Sequence, residues 1–384
     1  MNLEERIARR QTTRDDDLVV DRNVLNPAVH LPDPVGRGPV LERLLDALDP
    51  VFDRRVPPDV AIYGPKGAGK SALVSALFAG LDEQVGRQRQ GIGTTTRAGT
   101  ATDTVQFVHV DAYGLTSEFR FYHALLDAVV AESVPRRGVG TETLRDRVAE
   151  EFASPTRSAV VAADHLAEGD SPSAADVRGW LEPVEDAVAF VAVGRTVPDE
   201  WTAETVHVPA YRQHALVDVL TERASRGLTS GALRHGQARR IAEWASGDAH
   251  DALAATFVAA DRAAADGVDR IRARDVDDGI DDVPTDGVHL GRVLTLPENR
   301  RRVLAELLAL DAAPSIDEAA TAIAERSDLS AGTVKRFLYE LAEIGVLERL
   351  QTDGSDGSGR RPSRVEPRFP TLPFRRVDGE RRGE

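Results

Sequence analysis

The 384-residue chain contains no cysteine, one methionine and only three lysines, Lys66, Lys70 and Lys335. The lack of cysteine excludes a disulfide framework, a thiolate metal site and a thiol nucleophile. No apolar run approaches the length of about eighteen residues that a membrane span needs. The opening stretch MNLEERIARRQTTRDDD is charged and has no apolar core, so it does not read as a secretory signal. The expectation is a cytoplasmic chain with no membrane partner, long enough for about two or three domains.

Positive charge is also scarce, and unevenly so. Lys and Arg number 48 against 63 Asp and Glu, a net charge of −15. From residue 290 onward 16 basic residues meet 16 acidic ones, so the first 289 residues, with 32 against 47, carry the whole excess. An acid-rich, lysine-poor composition resembles proteins of salt-loving archaea, in which solvated carboxylates keep chains soluble. A GC-rich genome would explain Arg in place of Lys, but not the acid excess. At about 1 M salt the Debye length is about 3 Å, so a net negative charge repels a phosphate backbone far less than in dilute buffer.

Residues 1–34 read as a polar arm, with VVDRNVLNP as an anchoring turn. Over 35–210 four short runs, DVAIYG, VQFVHV, SAVVAA and AFVAVG, alternate with amphipathic segments such as PVLERLLDALDPVF. This is the pattern of a parallel sheet buried on both faces and flanked by helices. GRQRQGIGTTTRAGTATD, residues 86–103, reads as a surface loop. Helical patterns follow one another over 211–280, an acidic Pro/Gly linker is expected at 281–289, and 371–384 reads as a disordered tail.

The most informative stretch is IYGPKGAGKSALVSALF, residues 62–78. Gly64, Gly69, Lys70 and Ser71 satisfy G-x-x-x-x-G-K-[ST], with Pro65, Lys66, Gly67 and Ala68 inside the loop and Ala72 in the helix after it. A buried strand enters and an amphipathic helix leaves, which is the setting this P-loop motif requires. Its glycines let backbone N–H groups converge on phosphate oxygens at a helix N-terminus. Lys70 would then reach the terminal phosphates and the Ser71 hydroxyl would ligate Mg²⁺. ATP or ADP with Mg²⁺ is the expected ligand set. The partners for hydrolysis are weaker. Asp164, at the end of SAVVAADHL, is the one candidate to serve the metal, and an ordinary capping acid is the competing reading. His165 stands where a polarising Glu is wanted, with Glu168 and Asp170 downstream, and after AFVAVG only Arg195 or Thr196 is available to meet a γ-phosphate. Binding is favoured over turnover.

Residues 290–370 carry a third pattern. LPENRRRVLAELLAL starts at Pro297, SIDEAATAIAER has Ser315 and Glu318 spaced as a capping box, and SAGTVKRFLYELAEIG runs from Ser330 to Gly345. Two extended stretches, VLERL and VEPRF, flank QTDGSDGSGRRPSR. Three helices and a hairpin make a winged helix. Val334, Phe337, Leu338 and Leu341 take the buried face of the third helix, leaving Thr333, Lys335, Arg336 and Tyr339 for a DNA groove, with Arg360, Arg361 and Arg364 on the wing. A protein-docking winged helix with solvated arginines is the alternative.

Together PPDVAIYGPKGAGKSAL, DHL, VPAYRQHALVDVLTERASRG and ASGDAHDALAATFVAADRAA resemble the archaeal replication initiators related to the origin recognition complex and to the cell division control protein that loads helicases. These are AAA+ ATPases, and the resemblance covers about residues 18–366. It implies an α/β P-loop AAA+ core, a helical lid and a C-terminal winged-helix domain. It also implies nucleotide contacts from Tyr211 and His250 in the lid segments, a role for Arg223 toward nucleotide or a neighbouring subunit, and double-stranded origin-type DNA as partner. A replicative helicase or like subunits, and a place at the nucleoid, follow from the same resemblance. The chain departs from the family where Val161 and Ala162 replace its Asp-Glu pair and where His250 replaces an Arg. The expectation is therefore a nucleotide-switched initiator with weak or absent hydrolysis. A winged-helix regulator with a structural ADP is the alternative, and an accessory to a clamp or helicase loader a third.

Overall fold

A computed structural model describes residues 18–92, 104–115, 117–310, 314–351 and 363–383. Backbone contacts divide the chain into two compact units, His30–Tyr211 and a second made of residues up to Val29 together with Arg212 onward. The one-turn helix α1 (Arg22–Leu25) belongs to the second unit.

In the His30–Tyr211 unit the elements run α2 (Gly38–Leu48), β1 (Val60–Tyr63), α3 (Lys70–Ile92), β2 (Thr104–Asp111), α4 (Glu118–Val129), α5 (Thr141–Phe152), β3 (Arg157–Leu166), α6 (Ala174–Leu181), β4 (Val188–Gly194) and β5 (Glu204–His207). The strands form one parallel sheet in the order β2-β3-β4-β1-β5. Successive strand residues point to opposite faces, and both faces are covered. Ile62, Val160 and Val191 pack with Leu44, Leu73 and Phe78 on one side. Ala61, Val161 and Phe190 pack with Phe121, Leu125, Leu144 and Val177 on the other. The four apolar runs are β1 to β4. The fifth strand, ETVH, is a short edge strand in which only Val206 is fully buried, and its sequence carries no run to reveal it. Residues 86–92, expected in a loop, continue α3; residues 93–103 lie outside the described residues.

The second unit holds α7 (Gln213–Gly227), α8 (His235–Trp244), α9 (Ala249–Ala265), α10 (Ala273–Asp281), α11 (Leu290–Leu294), α12 (Glu298–Leu308), α13 (Ile316–Glu325), α14 (Ala331–Glu343), the antiparallel pair β6 (Leu347–Gln351) and β7 (Ser363–Pro367), and α15 (Thr371–Gly383). α12 to α14 with the hairpin form the expected winged helix. Ser315 and Glu318 make the capping box, Ser330 caps α14, and Gly345 terminates it at φ 75°.

Three expectations are corrected here. The described part of the arm, residues 18–34, is more than polar surface: Leu18 and Leu25 are buried, and Val20 and Asp21 donate backbone N–H groups to the Gly227 carbonyl. The linker is structured, because α10 runs to Asp281 and Asp282 accepts from the Thr371 hydroxyl and the Leu372 N–H. The tail is a helix, since Phe374 and Val377 reach the core one turn apart while Asp378, 2% exposed, pairs with Arg301 at 2.6 Å. Composition alone points to disorder, but two apolar residues at helical spacing and a buried ion pair outweigh it. Among the described residues no helix is long and apolar enough to cross a membrane.

Candidate nucleotide and nucleic-acid sites

The P-loop leaves β1 at Gly64 and enters α3 at Lys70. Its path depends on missing side chains. A Cβ on Gly64 would lie 2.0 Å from the Val208 carbonyl oxygen. A Cβ on Gly69, which sits at φ +81°, would lie 2.9 Å from the Tyr211 hydroxyl. Tyr211 thus stands against the loop. Its ring lies 3.6 Å beneath the Arg37 guanidinium. Arg37, 4% exposed, donates to the carbonyls of Ala68 at 2.6 Å and Pro209 at 2.8 Å. This arginine staples the loop to the end of the sheet and escapes a reading of the sequence, because nothing local separates a buried arginine from a solvated one. Lys70 folds back over its own loop, donating to the Gly64 and Pro65 carbonyls at 2.7 and 2.9 Å.

Asp164 lies beside the start of α3 and is 1% exposed. It accepts a hydrogen bond from His109 Nε2 at 3.3 Å, and the Ser71 hydroxyl stands near enough to favour its ionised form. Burial alone would raise its carboxyl, but the positive field of His165 and the bonds from His109 and Ser71 hold it far below the usual carboxylate range. A carboxylate whose charged form is favoured, beside the P-loop serine, is a donor set suited to Mg²⁺ and its water shell. The loop shape and this pair fit a Mg-nucleotide: Ser71 and Asp164 would hold the ion, and the loop amides and Lys70 the phosphates. Val161 and Ala162, at the family's acidic positions, are fully buried in the sheet and take no part.

Around Asp164 the strands deliver further polar groups. The β3/β4 register shifts between Ala163 and Leu166, and His165 sits at φ 61° in that irregularity. Its Nδ1 bonds Asp111 Oδ1 at 3.2 Å, and its ring stacks on Tyr113 with centroids 4.2 Å apart. Burial opposes its charge, but Asp164, Asp111 and Glu168 outweigh burial and raise its pKa above the ordinary value. Glu168 accepts from the Tyr113 hydroxyl and from Arg195, both at 2.8 Å. The carboxylate available near the end of β3 is therefore anchored by the very arginine considered for a γ-phosphate. His109, Asp111 and Tyr113 are missed by the sequence reading, where only the C-terminal position of VQFVHVDAY on a strand points to them.

Two expected site residues are placed differently. Arg223 is 6% exposed and donates to the Val24 and Val29 carbonyls at 2.6 and 2.5 Å, clasping the N-terminal segment. A catalytic role is replaced by a structural one. His250, 5% exposed, donates from Nδ1 to Asp251 at 2.9 Å and accepts the Leu290 N–H at Nε2 at 2.8 Å. With both nitrogens engaged inside its own unit, the ring is not a phosphate donor. It stacks on His289 at 4.2 Å, and Asp248 completes a ligand-like trio within 4.8 Å. The two hydrogen bonds leave His250 no lone pair for a metal ion.

On the winged helix, Val334, Phe337, Leu338 and Leu341 are buried as expected. Thr333 shares the N-cap bond with Ser330. Lys335 pairs with Asp317, Arg336 with Glu340 at 3.5 Å, and Arg364 with Glu366 at 2.7 Å. Tyr339 carries the Arg349 guanidinium over its ring at 5.2 Å. Arg360 and Arg361 lie outside the described residues.

Comparison with known proteins agrees with this architecture. Residues 33–178 match the model of the AAA ATPase domain family. The chain is 24% identical over 256 residues to ORC1-type DNA replication protein 11 of Haloarcula marismortui, covering 62% of this chain and 59% of that relative, less than two thirds of its length. Among solved structures, the Aeropyrum pernix ORC1 protein in complex with DNA superposes with a TM-score of 0.63 at 20% identity, covering 96% of this chain and 98% of the other. The ORC2 protein of the same organism, solved as ADPNP-ADP complexes, gives 0.57 at 18% identity with 94% and 98% covered. Residues 33–178 are thus similar to the AAA ATPase domain family, and the chain as a whole carries the fold of the Aeropyrum pernix ORC1 and ORC2 proteins.

Proposed function

We propose that the protein binds ATP and ADP with Mg²⁺ at the P-loop and double-stranded DNA through its winged helix, as an initiator-type protein switched by nucleotide state. The observation that carries the reading is the buried Asp164 carboxylate, held by His109 at 3.3 Å beside Ser71 of the P-loop, within residues that match the AAA ATPase domain model. Thr333, Lys335, Arg336 and Tyr339 would meet the major groove, with Arg360, Arg361 and Arg364 on phosphates or in the minor groove. Similarity to replication proteins of archaea supports origin-type sites, a replicative helicase or like subunits as partners, and work at the nucleoid.

Hydrolysis is weak in this reading, because the pair expected to polarise water is Val161 and Ala162, and Glu168 is tied by Tyr113 and Arg195. The same observation favours a second reading, in which ADP is a structural element of a DNA-binding regulator. Turnover of labelled ATP in concentrated KCl, compared with Lys70→Ala, decides between them. Turnover above the Lys70→Ala background supports the switch; ADP that co-purifies with identical turnover in both proteins supports the regulator. Failure of the wild type to bind either nucleotide overturns both.

A further inference from the structure

A cleft of about 590 Å³ opens beyond the C-terminal end of the edge strand β2, against the start of α4. In open parallel sheets this end of the strands is where ligands are received. β2 is separated from β1 by β3 and β4, so the cleft is not the P-loop itself. Its volume lies within the range of small-molecule sites.

The wall reverses the charge of its host. In a chain of net charge −15, Arg120, Arg136, His109 and His123 line the cleft, and Asp111 is the one carboxylate among the described lining residues. Asp111 is already engaged, accepting from the Tyr113 N–H at 3.0 Å and from His165. The two arginines stand at the exposed mouth, where planar guanidinium groups suit phosphate oxygens. Deeper in, His123 is 9% exposed and bonds the Val134 carbonyl through Nε2 at 3.0 Å, which fixes its ring near that of Phe119, centroids 6.3 Å apart. Phosphate-binding cations at the mouth and flat rings within point to one ligand chemistry. His109 connects the cleft inward: it lines the wall and also holds Asp164, with Ser75 of α3 at 3.5 Å on its other ring nitrogen.

We infer that this cleft is a second binding site, distinct from the P-loop, for a phosphorylated small molecule of mononucleotide size, and that His109 couples its occupancy to Asp164. An anion in the cleft competes with Asp164 for the His109 N–H, and the coupling acts equally in both directions. The coupling limb rests on the nucleotide reading above; the binding limb does not.

The test is calorimetric titration of AMP into the full-length chain in concentrated KCl, with ribose 5-phosphate and a short single-stranded oligonucleotide as parallel probes. The expected result is one AMP per chain, retained in Lys70→Ala and weakened about tenfold or more in Arg120→Ala and in Arg136→Ala. Both arginines are exposed, and unchanged melting of the variants excludes misfolding. Ribose 5-phosphate is expected to bind more weakly than AMP, for want of the ring. No AMP binding overturns the inference. So does AMP binding lost in Lys70→Ala and indifferent to both arginines, or binding of the oligonucleotide alone. In the wild type, AMP should shift the ADP dissociation constant; an ADP constant blind to saturating AMP overturns the coupling. A wild type that binds no ADP while Lys70→Ala keeps its AMP would sink the nucleotide reading and leave the cleft standing.

Discussion

The nucleotide site and the winged helix handle charge in opposite ways. Around the P-loop, ionised groups are satisfied by named partners: the buried Asp164 by His109, the half-buried Glu168 by Tyr113 and Arg195, and the buried Arg37 by two carbonyls. On the winged helix Arg300, Lys335, Arg336 and Arg364 stay toward the surface, each beside an acid on the same unit. Buried networks are sensitive to geometry, because a lost partner leaves a charge without solvent. Surface pairs contribute little to stability and are screened by salt. In the proposed DNA complex the acids next to Lys335, Arg336 and Arg364 would act as built-in counterions that DNA must displace.

Four measurements would break or sharpen this contrast. The largest effect belongs to the tail helix, where Phe374 is fully buried edge-on to Phe369 at 5.2 Å. Phe374→Ala should cost about 3–5 kcal/mol in denaturant unfolding, whereas Arg336→Ala on the same unit's surface should be close to neutral. Equal costs would erase the distinction between buried and surface residues. Next comes Gly69→Val, which places a branched side chain at φ +81° and against Tyr211. ADP affinity should fall about a hundredfold, close to 2.7 kcal/mol, beyond the loss of stability that the strained backbone itself brings. Unaltered affinity would show that the loop does not hold phosphate.

The third effect is smaller and of opposite character. Asp317→Asn removes the acid beside Lys335, and Glu340→Gln the acid beside Arg336 and Arg300. Anisotropy titrations of duplex DNA across a KCl series should give tighter binding and a salt slope steeper by about 1 per freed cation. A slope identical to the wild type would mean these cations do not meet DNA. The smallest effect is the pH response of the core. His165 has its pKa raised above 6.5, so the stability it contributes is complete below that value and is lost as pH rises through the folded pKa. Asp164, depressed below 3.8, contributes above that value and loses it only as pH falls further. Melting curves should therefore show the wild-type advantage over His165→Gln shrinking at alkaline pH, and a constant gap would rule out the charged imidazole.

Much of the architecture was legible in the residues because it is written in short-range patterns. The strand-loop-helix of the P-loop, four doubly buried strands, the Ser315–Glu318 box and the buried face of α14 each need only a short run of neighbouring residues to express their geometry. Strand β5 escaped because an edge strand with one buried side chain has no run to detect. The tail escaped because its arginine-rich composition concealed Phe374 and Val377, whose core lies on other helices.

What the sequence by itself determined is where phosphate can be cradled and which helix face is left for a groove, since glycine positions, caps and periodicity act locally. Only the tertiary structure decided the duties of the charged side chains: Arg37 as a staple of the loop, Arg223 as a clasp, His250 as a latch on Leu290, and Asp164 as the acid beside Ser71. Their partners lie tens to hundreds of residues away, and a charge is committed by what the fold brings within about 3 Å of it.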